Sequence, residues 1–156
     1  MPPRPIDATD RRILRELQRE AKLTNAELAS RIGLSPSPCL ARVRALEHDG
    51  VISRYVALVQ PETLGLEISV FIQVTLERQA EQALDTFESR MDRCPEVMEC
   101  YLMTGDSDYL LRVLVRNISE LQRFIVRDLS KIPGVANIKS SFALKQVKYN
   151  TALPME

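Results

Sequence analysis

An α+β fold in two parts is predicted by three observations. The first sixty residues carry three short stretches of helical apolar spacing, each opened by a residue suited to an N-cap. A strictly alternating stretch, ISVFIQVTLE, begins at residue 68. From there strand and helix patterns succeed one another in the order βαββαβ. The expected division is a winged helix-turn-helix domain over residues 1–52, a strand and linker over 53–66, and a ferredoxin-like βαββαβ domain over 67–156.

The first helix starts at DATDRRILRELQRE, where Asp7 suits the cap and Asp10 answers it across the first turn. Ile13, Leu14 and Leu17 form its apolar stripe, and its arginines read as a solvated surface. In TNAELASRIGL, Thr24 and Glu27 have capping-box spacing, and Gly33 falls where a left-handed residue closes a helix of about two turns. In SPSPCLARVRALEHDG, Ser35 suits the cap, Pro36 the first helical position, and Pro38 still lies in the first turn. The second and third helices, joined by a short turn containing glycine, give the helix-turn-helix pattern.

Projected at about 100° per residue, the third helix turns Cys39, Val43 and Leu46 inward. Ser37, Ala41, Arg44 and His48 take the opposite arc, with Arg42 on the flank. Small and polar residues near a helix start allow close approach to base edges in a major groove. Arg44 suits guanine or phosphate, and the flanking Arg42 suits phosphate. Ser35 and Ser37, beside the free N–H groups of the helix start, suit a phosphate as well. The bland alternative is a three-helix domain with a charged surface.

VISRYVALVQP is rich in strand formers and reads as a short wing and a strand leaving the domain; Pro61 and Gly65 mark the boundary. In the second domain, Ile68, Val70, Ile72, Val74 and Leu76 share one face of a half-buried strand. Residues 80–94 read as a helix stopped by Pro95. VMECYLM and DYLLRVLV are two strands, expected as the central pair, joined through Gly105-Asp106-Ser107-Asp108. ISELQRFIVRDLSKI is a second helix, and VANIKSSFALKQVKYN a long final strand. Two helices cover only one face of such a sheet. Phe71 and Tyr101 on the other face point to a second copy covering it, hence a homodimer at minimum.

Charge and composition narrow the function. The chain has 156 residues with 21 basic and 21 acidic side chains, but residues 1–60 hold 10 basic against 7 acidic. That bias places any contact with a polyanion in the first half. Three cysteines, Cys39, Cys94 and Cys100, form no C-x-x-C pair and fit a reducing compartment. The start MPPRPID lacks the apolar stretch of a signal peptide, and no apolar run nears the ~20 residues that span a bilayer. A cytoplasmic protein without membrane contact is expected. No nucleophile–base pair or phosphate-binding loop is found, and no cofactor is expected.

Four stretches carry a resemblance: IDATDRRILRELQ, LSPSPCLARVRALEHDGVISRY, PETLG and GDSDYLL. With the two-domain order, the chain resembles the Lrp/AsnC family of feast/famine regulators, nearest the leucine-responsive branch. The likeness runs from Ile6 to about Asn150. It implies transcription regulation, with double-stranded DNA bound at a pseudo-palindromic operator. It also implies an amino-acid effector, leucine or methionine being the first guesses, and dimers assembled further, often to octamers. Ser37, Pro38, Leu40, Ala41, Arg42 and Arg44 match the recognition helix. Gly105, Asp106, Asp108 and Tyr109 match the effector loop, which with Met103 and Thr104 makes the expected effector site between subunits. Asp106 is the better ammonium ligand, and Asp108 reads more as a turn-holder. Three alternatives stand beside this. One is a DNA-organising protein with no effector. The second is a tetrapyrrole decarboxylase of similar architecture, which would need histidines in the second domain where this chain has none; its single histidine is His48. The third is a metal held by Glu99, Asp106 and Asp108, too few ligands for a calcium loop.

Overall fold

The computed structural model describes residues 5–155. The order of elements is α1 (Ala8–Arg19), α2 (Asn25–Ile32), α3 (Pro36–His48), β1 (Ile68–Leu76), α4 (Glu81–Met91), β2 (Val97–Leu102), β3 (Tyr109–Val115), α5 (Ile118–Arg123) and β4 (Val135–Phe142). A 3-10 turn, Pro61–Leu64, lies between α3 and β1.

The chain forms two compact units. One runs up to Leu58 and takes in the residues from Val147 on; the other is Val59–Gln146. The sequence reading closes the first domain at residue 52 and keeps 147–156 with the second. The contacts instead return the closing segment to the first unit, where Met155 packs against its core.

In the first unit, the two capping boxes form as expected. The Asp10 N–H donates to Asp7 Oδ1 (2.8 Å) and the Asp7 N–H to Asp10 Oδ2 (3.2 Å). The Thr24 N–H donates to Glu27 Oε2 (2.7 Å) and the Glu27 N–H to Thr24 Oγ1 (3.3 Å). Each satisfies two donors that a helix start would leave open. Gly33 closes α2 at φ 71°, a conformation strained for any residue with a Cβ. Asn25 Nδ2 then donates to the Pro36 carbonyl (2.8 Å), tying the start of α2 to the start of α3. Ile13, Leu14, Leu28, Ala29, Ile32, Cys39 and Leu46 are the buried core, so α3 turns inward the face its spacing predicts. Residues 53–60 form no strand. Strand-forming residues alone are insufficient without a neighbour to complete the ladder, and Tyr55, Val56, Leu58 and Val59 lie exposed.

In the second unit, the four strands pair antiparallel in the order β2-β3-β1-β4, the ferredoxin-like arrangement. β3 is central, as expected, but β2 is an edge strand and not a member of the central pair. Val70, Ile72, Val74 and Leu76 pack under Phe87 and Met91 of α4 and Leu121 of α5. Past Arg123 the helix widens to a π-helical turn, Phe124–Leu129. Five residues apart on an α-helix, Phe124 and Leu129 would point roughly 140° apart. The wider turn accompanies burial of both, and of Ile132. β4 stops at Phe142, short of the long strand predicted, because its partner β1 ends: the Ala143 N–H reaches the Ser69 carbonyl and β1 begins at Ile68. On the face away from the helices, Phe71 and Tyr101 are exposed beside a Glu99–Arg112 ion pair of 2.8 Å.

Candidate DNA-binding helix and effector loop

Ser35, Ser37, Pro38, Leu40, Ala41 and Arg44 are all exposed along α3. Ser35 occupies the N-cap position without a side-chain cap bond, so its hydroxyl is not consumed in closing the helix. Arg44 makes no ion pair among the described residues. Together these exposed side chains offer two hydroxyls, one guanidinium and the apolar groups of Pro38, Leu40 and Ala41.

Arg42, expected at phosphate, is ion-paired within the unit. Its Nη1 lies 2.7 Å from Asp7 Oδ2 and 2.9 Å from Asp10 Oδ1, joining α3 to the first turn of α1. Asp10 is fully buried, and an unpaired carboxylate there would be costly. The Asp10 N–H, with the Arg42 guanidinium beside it, holds the Asp7 carboxyl down at about 2. The two aspartates thus close α1 and brace the third helix together. Sequence spacing shows only the capping role, since Arg42 lies 35 residues from Asp7.

The loop between β2 and β3 separates its two aspartates. Asp108 is buried: its Oδ2 accepts from the Leu76 N–H (2.6 Å) and its Oδ1 from Gln79 Nε2. Its own N–H donates to the Val74 carbonyl (2.9 Å), and its carbonyl accepts from the Met103 N–H (2.8 Å). Asp108 therefore pins the loop to the end of β1. Tyr109 is also inward. Its ring stacks on Phe87 at 4.3 Å, and its hydroxyl donates to Glu88 Oε1 (2.7 Å). Burial first, and Glu88 next, push its ionisation well above the ordinary tyrosine range. Met103, Thr104, Gly105 and Asp106 are exposed at the tip. Gly105 has φ 131°, which favours glycine. The expected effector residues thus divide into a buried frame, Asp108 and Tyr109, and an open tip, Met103 to Asp106. Gln79 and Glu88, themselves exposed, hydrogen-bond to that frame; neither stands out in sequence, because each is an ordinary polar residue on or beside a helix. Among the described residues no group of three or more His, Cys, Asp or Glu is placed to hold a metal, and no helix is long and apolar enough to cross a membrane.

Comparison with known proteins assigns both units. Residues 6–53 match a winged helix-turn-helix DNA-binding model, and residues 69–153 match the Lrp/AsnC ligand binding domain. The Bkd operon transcriptional regulator of Pseudomonas aeruginosa is 45% identical, over 96% of this chain and 98% of that protein. The leucine-responsive regulatory protein of Escherichia coli K12 is 38% identical, over 97% of this chain and 93% of that one. A transcriptional regulator of Neisseria meningitidis, solved as its L-Met complex, superposes with a TM-score of 0.92 at 40% identity, covering 96% of this chain and 97% of that one. These relatives are transcriptional regulators, and the decarboxylase alternative falls with that. With a DNA-binding unit built around α3 and a ligand-binding unit matched over most of its length, the chain belongs to the Lrp/AsnC family of transcriptional regulators.

Proposed function

We propose that this regulator's DNA binding is modulated by a small amino acid of the leucine or methionine type, held at the tip of the 103–109 loop between subunits of a homo-oligomer. One observation carries the reading: Asp108 fixes the loop from below while Asp106 stands exposed on it. An amino acid offers an ammonium and a carboxylate. Asp106 takes the ammonium, and backbone N–H groups around Gly105 take the carboxylate. The L-Met complex of the similar Neisseria regulator supports the ligand class.

The open sheet face, with Phe71 and Tyr101, is the surface on which a second copy docks, and dimers assemble further, to octamers. Two copies present two α3 helices to successive major grooves about 34 Å apart, on a pseudo-palindromic site. Ser35, Ser37, Pro38, Leu40, Ala41 and Arg44 face the DNA. Arg42 acts on it indirectly, by fixing α3 against α1. For the effector to regulate, it must bind one assembly state more tightly than another.

A thermal-shift screen of the common amino acids tests the effector. Ligand at a hundred times its Kd stabilises by about 2.7 kcal/mol. L-Leu or L-Met should therefore raise the melting temperature while glycine leaves it in place. A flat response to all twenty would favour the effector-independent DNA-organising alternative.

A further inference from the structure

The segment that closes the chain runs along α1, and its attachment is specific. The Leu153 N–H donates to Gln18 Oε1 (2.6 Å), and Gln18 Nε2 donates back to the Leu153 carbonyl (3.4 Å). One side-chain amide thus pairs with both backbone groups of one residue, as a neighbouring strand would. Arg15 Nη2 donates to the Met155 carbonyl (3.1 Å). The Ala152 N–H donates to Asn150 Oδ1 (3.0 Å), shaping the turn into the docked stretch. Met155 packs against the core of the first unit, and Pro154 and Met155 share a cleft with Ile6, Arg11 and Leu14. Leu144, Val147, Tyr149 and Leu153 have exposed side chains, so the attachment rests on the backbone groups of Leu153 and Met155 and on the Met155 side chain.

We propose that residues 150–155 are a positioning element for DNA recognition, although they lie about a hundred residues beyond the helix-turn-helix. The physical path is short. The segment grips α1 at Arg15 and Gln18, and the first turn of the same helix holds Arg42 of α3 through Asp7 and Asp10. A braced α1 gives α3 one pose. Base-edge contacts need fixed geometry, whereas contacts to phosphate tolerate a range of poses. Loss of the segment therefore lowers binding to the preferred sequence more than binding to any other sequence. A segment that merely supported folding would lower both equally, by reducing the share of competent protein.

The test compares the full chain, a chain lacking residues 150–156, and Gln18→Ala in the full chain. Each is titrated at moderate salt with a duplex selected by the wild-type protein from a random library, and with a scrambled duplex of equal length. The truncated chain should bind the selected duplex about tenfold more weakly, the size of one lost base-pair contact, while binding to the scrambled duplex changes less than twofold. Gln18→Ala should move the same ratio in the same direction by a smaller factor. Adding a peptide of residues 147–156 to the truncated chain should restore the ratio. Equal losses on both duplexes, or no loss on either, would overturn the proposal. Circular dichroism identifies a truncated chain that does not fold, and in that event the ratio for Gln18→Ala decides the matter alone.

Discussion

Arg42 and Arg44 stand two residues apart on one helix and have different employment. Arg42 is spent within the unit on Asp7 and Asp10; Arg44 is exposed and has no ion pair among the described residues. Arg44→Ala should therefore weaken operator binding by about 1–3 kcal/mol with unchanged folding. If Arg44 reaches phosphate, the salt slope should also fall by about one. Fluorescence anisotropy across a salt series reads both, and wild-type affinity in that variant would remove Arg44 from the interface. The two loop aspartates divide in the same manner. Asp108→Ala strips the Leu76 N–H and Gln79 of their acceptor, and an unsatisfied buried donor costs about 1–3 kcal/mol. Its urea midpoint should fall accordingly; a midpoint equal to wild type would mean that Asp108 does not hold the loop.

At the scale of elements, much was legible in the sequence, and the departures have physical causes. Both capping boxes, the left-handed Gly33 and the inward face of α3 follow from contacts within one or two turns, which spacing records directly. The alternation of β1 likewise records which face is covered. What spacing does not record is supply of a partner. VISRYVALVQP has strand-forming residues but pairs with no strand among the described residues, and β4 ends beside the start of β1. The order of strands, which puts β2 at an edge, depends on crossovers that no local pattern encodes. At the candidate site, Asp106 and Asp108 are equivalent residues in the sequence; only the proximity of Leu76 and Gln79 separates them. The exposed sheet face carries its own prediction. Phe71→Glu puts a charge opposite Arg112 on β3 and removes an apolar side chain from the proposed dimer surface. Light scattering at micromolar concentration should show oligomers for wild type and smaller species for the variant. A wild-type monomer would contradict the proposed assembly.

For the whole molecule, the chain crosses from the first unit to the second after Leu58 and returns at Val147, so the compact unit that carries the helix-turn-helix takes in both stretches. Regulation requires that the state of the ligand-binding unit alter the free energy of DNA binding, by about 1–3 kcal/mol in typical allosteric systems. That coupling is reciprocal, so DNA should change effector affinity by the same factor. The most direct measurement is a pair of operator-binding isotherms, with and without saturating L-Leu or L-Met, for wild type and Asp106→Ala. Wild type should shift by about five- to 150-fold between the two conditions. The variant should bind operator as wild type does without amino acid and shift little when it is added. An Asp106→Ala protein that responds to the amino acid as fully as wild type would contradict the assignment of the loop as the effector site.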